Sequence, residues 1–458
     1  MEKIKSWGLG YGLDDHEAEV EVEMADPNSP IYSTVDSFEA LDLNPSILKG
    51  IQVGMKFSRP SKIQETALPL ILTEPRTNLI AQSQSGTGKT AAFVVGMLSV
   101  VDIDNPLPQA LCLAPTRELA VQTFGTVGKM GEYTGFKIHC MVSQDKDKKK
   151  NKKKGKSRRR HVDPVDAQVV VGTPGTILNA AEAGALDLSA IRVYVLDEAD
   201  FLIDAGGNMS DNSIRLKNLL PEDVQVLLFS ATFDDEVWEF AEHTVGHANK
   251  IRLKREEVRL KKIQQFKIPC PDDDGKFAVV CDLYEQLAVG QMIIFCQTIK
   301  GAQALGAKLI DAGHTVSVMT SRLLPSERDT VIGNFRDGVT KVLVATDVLA
   351  RGIDVQAVNI VVNYDMPCDG PPTFPVNPAT YIHRIGRAGR FGRAGVALNL
   401  VSGQKANRDL MAIEQYYSHD IPILSSDAFH TLDRVFTEDI HSQALVTVDQ
   451  TADADDLA

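Results

Sequence analysis

Apolar residues recur along this chain in two rhythms. Short runs at Asn78-Leu79-Ile80-Ala81, Ala110 to Ala114, Lys137 to Val142, Gln168 to Gly172, Val193 to Leu196 and Val226 to Phe229 read as strands, most of them buried as in a parallel sheet. Between them the spacing is helical: Phe38, Leu41, Leu43, Ile47, Leu48 and Ile51 after Ser37, a second helix opening at Ile63-Gln64, and a third over Ala91 to Val101. Strand and helix alternate up to about Lys250, the pattern of an α/β domain. Lys254-Arg255-Glu256-Glu257 then interrupts the apolar pattern, and a second series follows. Its strands are expected at Met292 to Phe295, Val316 to Met319, Lys341 to Ala345, Asn359 to Val362 and Val396 to Val401.

The expected fold is therefore α/β, with two tandem domains, each a mostly parallel sheet flanked by helices. The first is assigned to residues 34–253, a linker to 254–262 and the second domain to 263–436. Residues 1–33 carry Asp14, Asp15, Glu17, Glu19, Glu21 and Glu23 in close succession, and 437–458 are acidic and alanine-rich. Disorder is predicted for both ends.

Composition narrows the class. With 458 residues, 43% of them hydrophobic and 24% charged, the chain has the make-up of an ordinary soluble protein. Its apolar runs are too short to span a bilayer and Met1 to Gly10 has no signal-like core, which predicts no membrane insertion and a place in cytoplasm or nucleus. Six cysteines without a C-x-x-C pair indicate neither a zinc site nor a disulfide framework. A net charge of −13 argues at first against a polyanionic partner. That average hides a segregation, because Asp145 to Arg160 holds eleven Lys/Arg against two Asp, leaving −22 for the remainder. Only the local field of a binding groove matters for contact.

Chemistry enters at the strand ends. The strand at Asn78 is followed by Ser83 to Thr90, ending Gly-Lys-Thr, and then by a helix, which is the context of a phosphate-binding loop. Backbone N–H groups of Ser85, Gly86, Thr87 and Gly88 would converge on phosphate oxygens. Lys89 would reach the β- and γ-phosphates and Thr90 would hold Mg²⁺. Asp197-Glu198-Ala199-Asp200 closes the strand at Val193, at the edge where open α/β sheets bind ligands. Alone, a surface turn explains it equally well. Beside a phosphate loop, Asp197 is assigned to Mg²⁺ and Glu198 to the attacking water, a pairing that predicts hydrolysis.

Pro115-Thr116-Arg117 and Thr173-Pro174-Gly175 end two further strands, and hydroxyls, a guanidinium and helix N-termini at one edge suit a phosphodiester backbone. In the second domain Arg384, Arg387 and Arg390 have helical spacing and are expected on one face of one helix. A solvated basic face is the alternative. Gly386 and Gly389 weaken a helix for no surface benefit, which suggests a close backbone approach. Arg387 and Arg390 would then act as arginine fingers on the γ-phosphate.

Together these motifs resemble the DEAD-box RNA helicases over roughly residues 36 to 430. The series is Phe57 with Gln64, Ser83 to Thr90, Pro115 to Ala120, Thr173 to Thr176, Asp197 to Asp200, Ser230 to Thr232, Ile294 to Gln297, Thr346-Asp347 with Ala350 to Asp354, and His383 to Arg390. The resemblance implies two RecA-like domains, ATP with Mg²⁺, and single-stranded RNA or a short RNA duplex as partner. It implies that Phe57 stacks on adenine, Gln64 bonds its edge and Asp354 binds the ribose. Ser230 and Thr232 would couple the nucleotide site to closure, with Asp200 and His383 in the same linkage. Thr116, Arg117, Thr173, Gly175, Thr346 and Arg351 would line an RNA path read mainly through phosphates and 2′-hydroxyls.

A narrower resemblance, carried by Asp26 to Ser33, Ser37 to Leu41, Arg59 to Glu65 and Ile80 to Ser85, is to the subfamily that remodels messenger ribonucleoprotein at the cytoplasmic face of the nuclear pore. It implies two partners, a propeller nucleoporin and an export activator acting with inositol hexakisphosphate; the chain itself is expected to be a monomer. Three departures stand out. Lys56 replaces the usual glycine before Phe57, Ser143-Gln144 stands where a glycine doublet contacts RNA, and Thr320-Ser321 replaces a small residue followed by glycine. The basic run after Ser143 would raise RNA affinity by counterion release, or else is a solvated loop or import signal. An RNA-stimulated ATPase competes with an ATP-gated RNA clamp of little turnover and with a DNA helicase; Glu198, Arg387 and Arg390 favour the ATPase.

Overall fold

The computed structural model describes residues 20–26, 34–83, 86–143, 164–204, 208–233, 235–253, 263–286, 290–347, 358–369, 375–389, 395–425, 429 and 432. The chain divides into two compact units, 1–258 and 259–458. The expected linker 254–262, the basic run, the acidic tail, and Ser85, Arg351, Asp354 and Arg390 lie outside the described residues.

The first unit has eight strands: β1 (Val20–Glu23), β2 (Asn78–Gln82), β3 (Ala110–Leu113), β4 (Ile138–Met141), β5 (Val169–Gly172), β6 (Val193–Asp197), β7 (Gln225–Ser230) and β8 (Ala248–Leu253). Their order is β1-β8-β2-β7-β6-β3-β5-β4. Every pair is parallel except β1 with β8. Parallel strands need crossovers, so both faces are covered, and the alternation of side chains shows it. Leu79, Ala81, Cys112, Val193 and Val195 pack with Ile63, Phe93, Val94 and Val127 from the helices Lys62–Leu72, Lys89–Ser99 and Arg117–Met130. Ile80, Leu111, Tyr194, Leu196 and Leu228 point the other way, onto Ile177, Leu202, Leu216 and Ala241 of the helices Pro174–Glu182, Ala199–Asp204, Asn208–Lys217 and Asp235–Val245. Two buried faces explain why these strands read as continuous apolar runs.

Two expectations for this unit need correction. The stretch after Ser37 is not one helix but a short turn at Glu39–Leu41 and a helical segment that starts again at Pro45. Asp42 adopts a left-handed conformation, Asn44 accepts the Ser46 N–H at 2.9 Å, and Pro45 has no N–H to continue a ladder. The acidic segment 1–33 was expected to be disordered throughout, yet Val20–Glu23 forms an edge strand in register with Leu253 to Lys250. Glu23 meets Lys250 at 3.1 Å, while Val22 and Met24 pack on the core. The period-two alternation of valine and glutamate was the signal, masked by the count of carboxylates.

The second unit has β9 (Ile263–Pro269), β10 (Gln291–Phe295), β11 (Val316–Met319), β12 (Val342–Ala345), β13 (Val358–Asn363) and β14 (Gly395–Val401). The order is β11-β12-β10-β13-β14-β9, parallel throughout. One face carries Ile294, Val344, Val362 and Leu398 onto Val280, Leu283, Leu305 and Leu309 of the helices Asp273–Gln286 and Ile299–Asp311. The opposite face presents Phe295, Asn363 and Asn399 in register.

Candidate ATP and RNA site

In the first sheet β2, β7, β6, β3 and β5 are consecutive neighbours, all parallel. Their carboxyl ends carry, in that spatial order, the phosphate loop, Ser230-Ala231-Thr232, Asp197 to Asp200, Pro115 to Arg117 and Thr173 to Gly175. Residues separated by up to about 150 positions in sequence thus share one edge, with the phosphate loop and acidic turn side by side across β7.

The described residues of the phosphate loop are held by their own side chains and by Gln64 of the helix Lys62–Leu72. Gly88 has φ +102°, and a Cβ there would lie 2.5 Å from Gln64 Nε2; both facts demand glycine. Gln64 is fully buried, donates from Nε2 to the Gly88 carbonyl at 3.0 Å and accepts the Ser61 N–H at 3.0 Å. Lys89 donates to the Ser83 carbonyl at 2.9 Å, and the Ser83 and Thr87 hydroxyls are 2.7 Å apart. The lysine ammonium therefore rests on the loop's own carbonyl with one of its three N–H donors, which leaves two for a phosphate. Phe57 is partly buried against the first core, its N–H on the Ile51 carbonyl at 3.1 Å. Lys56 before it has φ +59°, the left-handed conformation that favours glycine.

The acidic turn has the opposite character. Asp197 is 3% exposed and its Oδ1 accepts the Glu198 N–H at 3.0 Å. Its Oδ2 is buried and has no hydrogen-bond partner among the described residues. Burial first, and then the adjacent Glu198 carboxylate, push the Asp197 pKa up to about 7, against the nearby Lys89. A buried carboxylate oxygen without a partner, on the strand end beside a phosphate loop, is what a hard divalent cation accepts as a ligand, so the residues present fit Mg²⁺. Glu198 has φ +48°, an unusual backbone for a side chain with a Cβ, held because β6 turns directly into the helix at Ala199. Asp200 accepts the Thr232 hydroxyl at 2.5 Å, the Thr232 N–H reaches Ser230 Oγ at 3.4 Å, and the Ser83 N–H bonds the Ser230 carbonyl at 3.0 Å. A hydrogen-bonded path therefore joins the base of the phosphate loop to the acidic turn through the end of β7.

On the other side of that turn, Thr116 caps its helix by accepting the Leu119 N–H at 3.2 Å. Thr173 and Thr176 hydroxyls meet at 3.0 Å, and the Gly175 carbonyl accepts from Asn179 at 2.6 Å. Two helix N-termini, those starting at Arg117 and Pro174, open onto the edge next to the acidic turn.

In the second unit the arginine series departs from expectation. The helix spans Pro378–Ile385 and Gly386 is its cap, so Arg384 and Arg387 do not continue along one helical face. Arg384 points inward at 2% exposure. Its guanidinium pairs with both Asp347 oxygens and donates to Asn363 Oδ1 at 3.1 Å and the Asp365 carbonyl at 2.6 Å. Arg387 lies beyond the cap and donates from Nε to the His383 carbonyl at 3.0 Å. The close approach expected of the glycines occurs at Gly389, where φ is +67° and a Cβ on Gly395 would come within 2.6 Å of the Gly389 nitrogen. Thr346 is buried at the end of β12, next to the paired Asp347.

Two family models match in tandem, DEAD/DEAH box helicase over residues 61–240 and helicase conserved C-terminal domain over 275–392. The chain belongs to the DEAD/DEAH box helicases. It is 47% identical over 413 residues to the ATP-dependent RNA helicase dbp5 of Schizosaccharomyces pombe, covering 90% of this chain and 78% of that protein. Among solved structures it is similar to S. cerevisiae Dbp5 bound to RNA and ADP BeF3, with TM-score 0.80 and 43% identity over 88% of this chain and 99% of the other. A second S. cerevisiae dbp5 structure, bound to nup159, gle1, ip6 and adp, is 41% identical over 86% and 100% of the two chains with TM-score 0.61. The two sheets are accordingly a pair of RecA-like domains. No helix among the described residues is long and apolar enough to cross a membrane.

Motif reading missed Asn363, Asn399 and Tyr381, which carry a line of buried hydrogen bonds in the second unit. Asn363 closes the run VNIVVN and Asn399 sits inside the apolar run GVALNLV, and a polar residue in or at the end of such a strand is the only signal the sequence offered.

Proposed function

We propose that this helicase is an RNA-stimulated ATPase that converts ATP and water to ADP and phosphate. It uses that cycle to separate short RNA duplexes or strip proteins from messenger RNA. The observation that carries the reading is the strand order β2-β7-β6-β3-β5, which sets the Gly-Lys-Thr loop, the acidic turn with its buried Asp197 oxygen, and the helix starts at Arg117 and Pro174 along one edge.

In this reading adenine stacks on Phe57 and Gln64 serves both its edge and Gly88. Lys89 reaches the β- and γ-phosphates with the donors that the Ser83 carbonyl does not take. Thr90 and Asp197 would hold Mg²⁺, which would supply positive charge to offset that of the phosphates. Glu198, aimed by its left-handed backbone, orients water and takes its proton, while Arg387 and Arg390 offset charge developing on the γ-phosphate. The bond from Thr232 to Asp200 supports a coupling role for Ser230, Thr232 and Asp200, and His383 is assigned with them. Thr116, Arg117, Thr173, Gly175, Thr346 and Arg351 hold RNA by its backbone.

The dbp5 relatives support placing this work in mRNA export at the nuclear pore, with a nucleoporin and an inositol hexakisphosphate-dependent activator as partners. The test is phosphate release with and without single-stranded RNA, in the native chain and in Glu198→Gln. RNA should stimulate turnover, and the substitution should lower it by about 10²- to 10⁴-fold. Absence of RNA stimulation together with an unimpaired Glu198→Gln would reject the reading and leave a nucleotide-gated clamp.

A further inference from the structure

Tyr381 and Arg384 lie three residues apart on the Pro378–Ile385 helix and both turn onto the polar face of the second sheet. Tyr381 Oη donates to Gln265 Oε1 on β9 at 2.8 Å and accepts from Asn399 Nδ2 on β14 at 3.1 Å. The same Asn399 nitrogen donates to the Phe266 carbonyl at 3.0 Å, and Asn399 Oδ1 accepts from Asn363 Nδ2 on β13 at 2.8 Å. Asn363 Oδ1 accepts from Arg384, whose other donors hold Asp347 after β12 and the Asp365 carbonyl. One unbroken line of hydrogen bonds thus crosses β9, β14 and β13 to the end of β12. Both asparagines are fully buried.

Burying these groups is costly unless each finds its partners, and apolar side chains would fill the same layer at less risk. What the line supplies instead is direction. Apolar contact between a helix and a sheet tolerates small sliding, whereas a helix pinned at Tyr381 to β9 and β14, and at Arg384 to β13 and the β12 loop, has one seat. Arg387 follows within a turn, its Nε on the His383 carbonyl of that helix at 3.0 Å.

We propose that Tyr381, Asn399 and Asn363 are positioning residues for hydrolysis: they fix the seat of the 378–385 helix and thereby aim Arg387. The proposal rests on the reading of Arg387 as the arginine that stabilises the γ-phosphate in the transition state. A misplacement of about 1 Å in a group of that kind lowers a rate by about 10²-fold, so directional bonds one turn away matter even though they touch no substrate.

The test uses the full chain with Tyr381→Phe, which removes one hydroxyl, and Asn399→Leu, which removes the central amide at similar volume. Steady-state ATP hydrolysis is measured at saturating RNA, well below the lower melting temperature, alone and in an Arg387→Ala background. Tyr381→Phe should lower kcat by about 10-fold and Asn399→Leu by about 10- to 100-fold, with KM for ATP and RNA affinity within about two-fold of native. Neither should lower kcat further once Arg387 is alanine, because a group acting through Arg387 has nothing left to aim. A folded Tyr381→Phe with native kcat, or losses that multiply in full with that of Arg387→Ala, overturns the proposal while leaving Arg387 in its role. An Arg387→Ala protein with native kcat overturns the arginine reading and this proposal with it. If Asn399→Leu does not fold, Tyr381→Phe alone decides.

Discussion

The two RecA-like units bury charge at their strand ends in opposite ways. In the first, Asp197 is nearly inaccessible, one of its oxygens has no hydrogen-bond partner among the described residues, and burial together with the adjacent Glu198 carboxylate raises its pKa to about 7. In the second, Arg384 is equally buried, yet its guanidinium is met by two carboxylate oxygens, an amide and a carbonyl. Equal burial therefore does not mean equal purpose. An incompletely satisfied carboxylate raises the free energy of the unliganded protein and lowers it on binding a cation, whereas a satisfied guanidinium fixes a shape.

The largest separation of the two roles should come from Lys89→Ala. Loss of the ammonium proposed to serve the phosphates should reduce kcat by about 10²- to 10³-fold, as for other preorganised charge donors, with little change in melting temperature. RNA-stimulated phosphate release and a thermal melt on the same sample measure both; a large fall in melting temperature with native turnover would contradict the assignment.

Arg384→Met should do the reverse. Removing one partner of a buried ion pair typically costs about 3–5 kcal/mol, and since Asp347 keeps 27% of its side-chain exposure the lower end, about 3 kcal/mol, applies. Urea unfolding should show the loss in the transition of the second unit alone. A variant as stable as the native chain would mean that the pair contributes specificity and no stability.

Asp197→Asn should go against the usual direction of mutation. The amide keeps an acceptor for the Glu198 N–H and removes a buried carboxylate from beside Glu198 and Asp200. The ligand-free chain should gain about 1 kcal/mol, seen as a rise of about 2–4 °C in the melting temperature of a unit this size, while hydrolysis is lost. A drop in stability would show that the carboxylate is already compensated without a cation.

Much of this contrast was legible beforehand. β2, β3, β5, β6 and β7 fall within a residue of their apolar runs because both faces of each are buried. The acidic turn and the phosphate loop were found because their chemistry is contiguous in sequence. What escaped was whatever depends on pairing. β1 hid among carboxylates, and Gln265, Asn363, Tyr381 and Asn399 become one network only when the strand order β13-β14-β9 places them together. The arginine spacing misled for a local reason: Gly386 ends the helix after Ile385, so a periodicity drawn past it describes no surface.

The smallest expected effect concerns backbone strain, which the units also share unequally. Among the described residues, left-handed non-glycine positions number three in the first unit, Asp42, Lys56 and Glu198, against Ser418 in the second. Glu198 is the residue proposed to orient water, whereas Lys56 has no proposed role beyond preceding Phe57. A left-handed residue with a Cβ costs about 1–2 kcal/mol, and glycine gives back about 0.5–1 kcal/mol in chain entropy. Lys56→Gly should therefore stabilise the first unit by about 0.5 kcal/mol, with KM for ATP unchanged because the Phe57 N–H keeps the Ile51 carbonyl. Urea midpoints of the native chain and the variant measure it. Destabilisation instead would mean that the Lys56 side chain contributes more than its backbone costs, and that the first unit's strain, unlike its buried carboxylate, is compensated without a ligand.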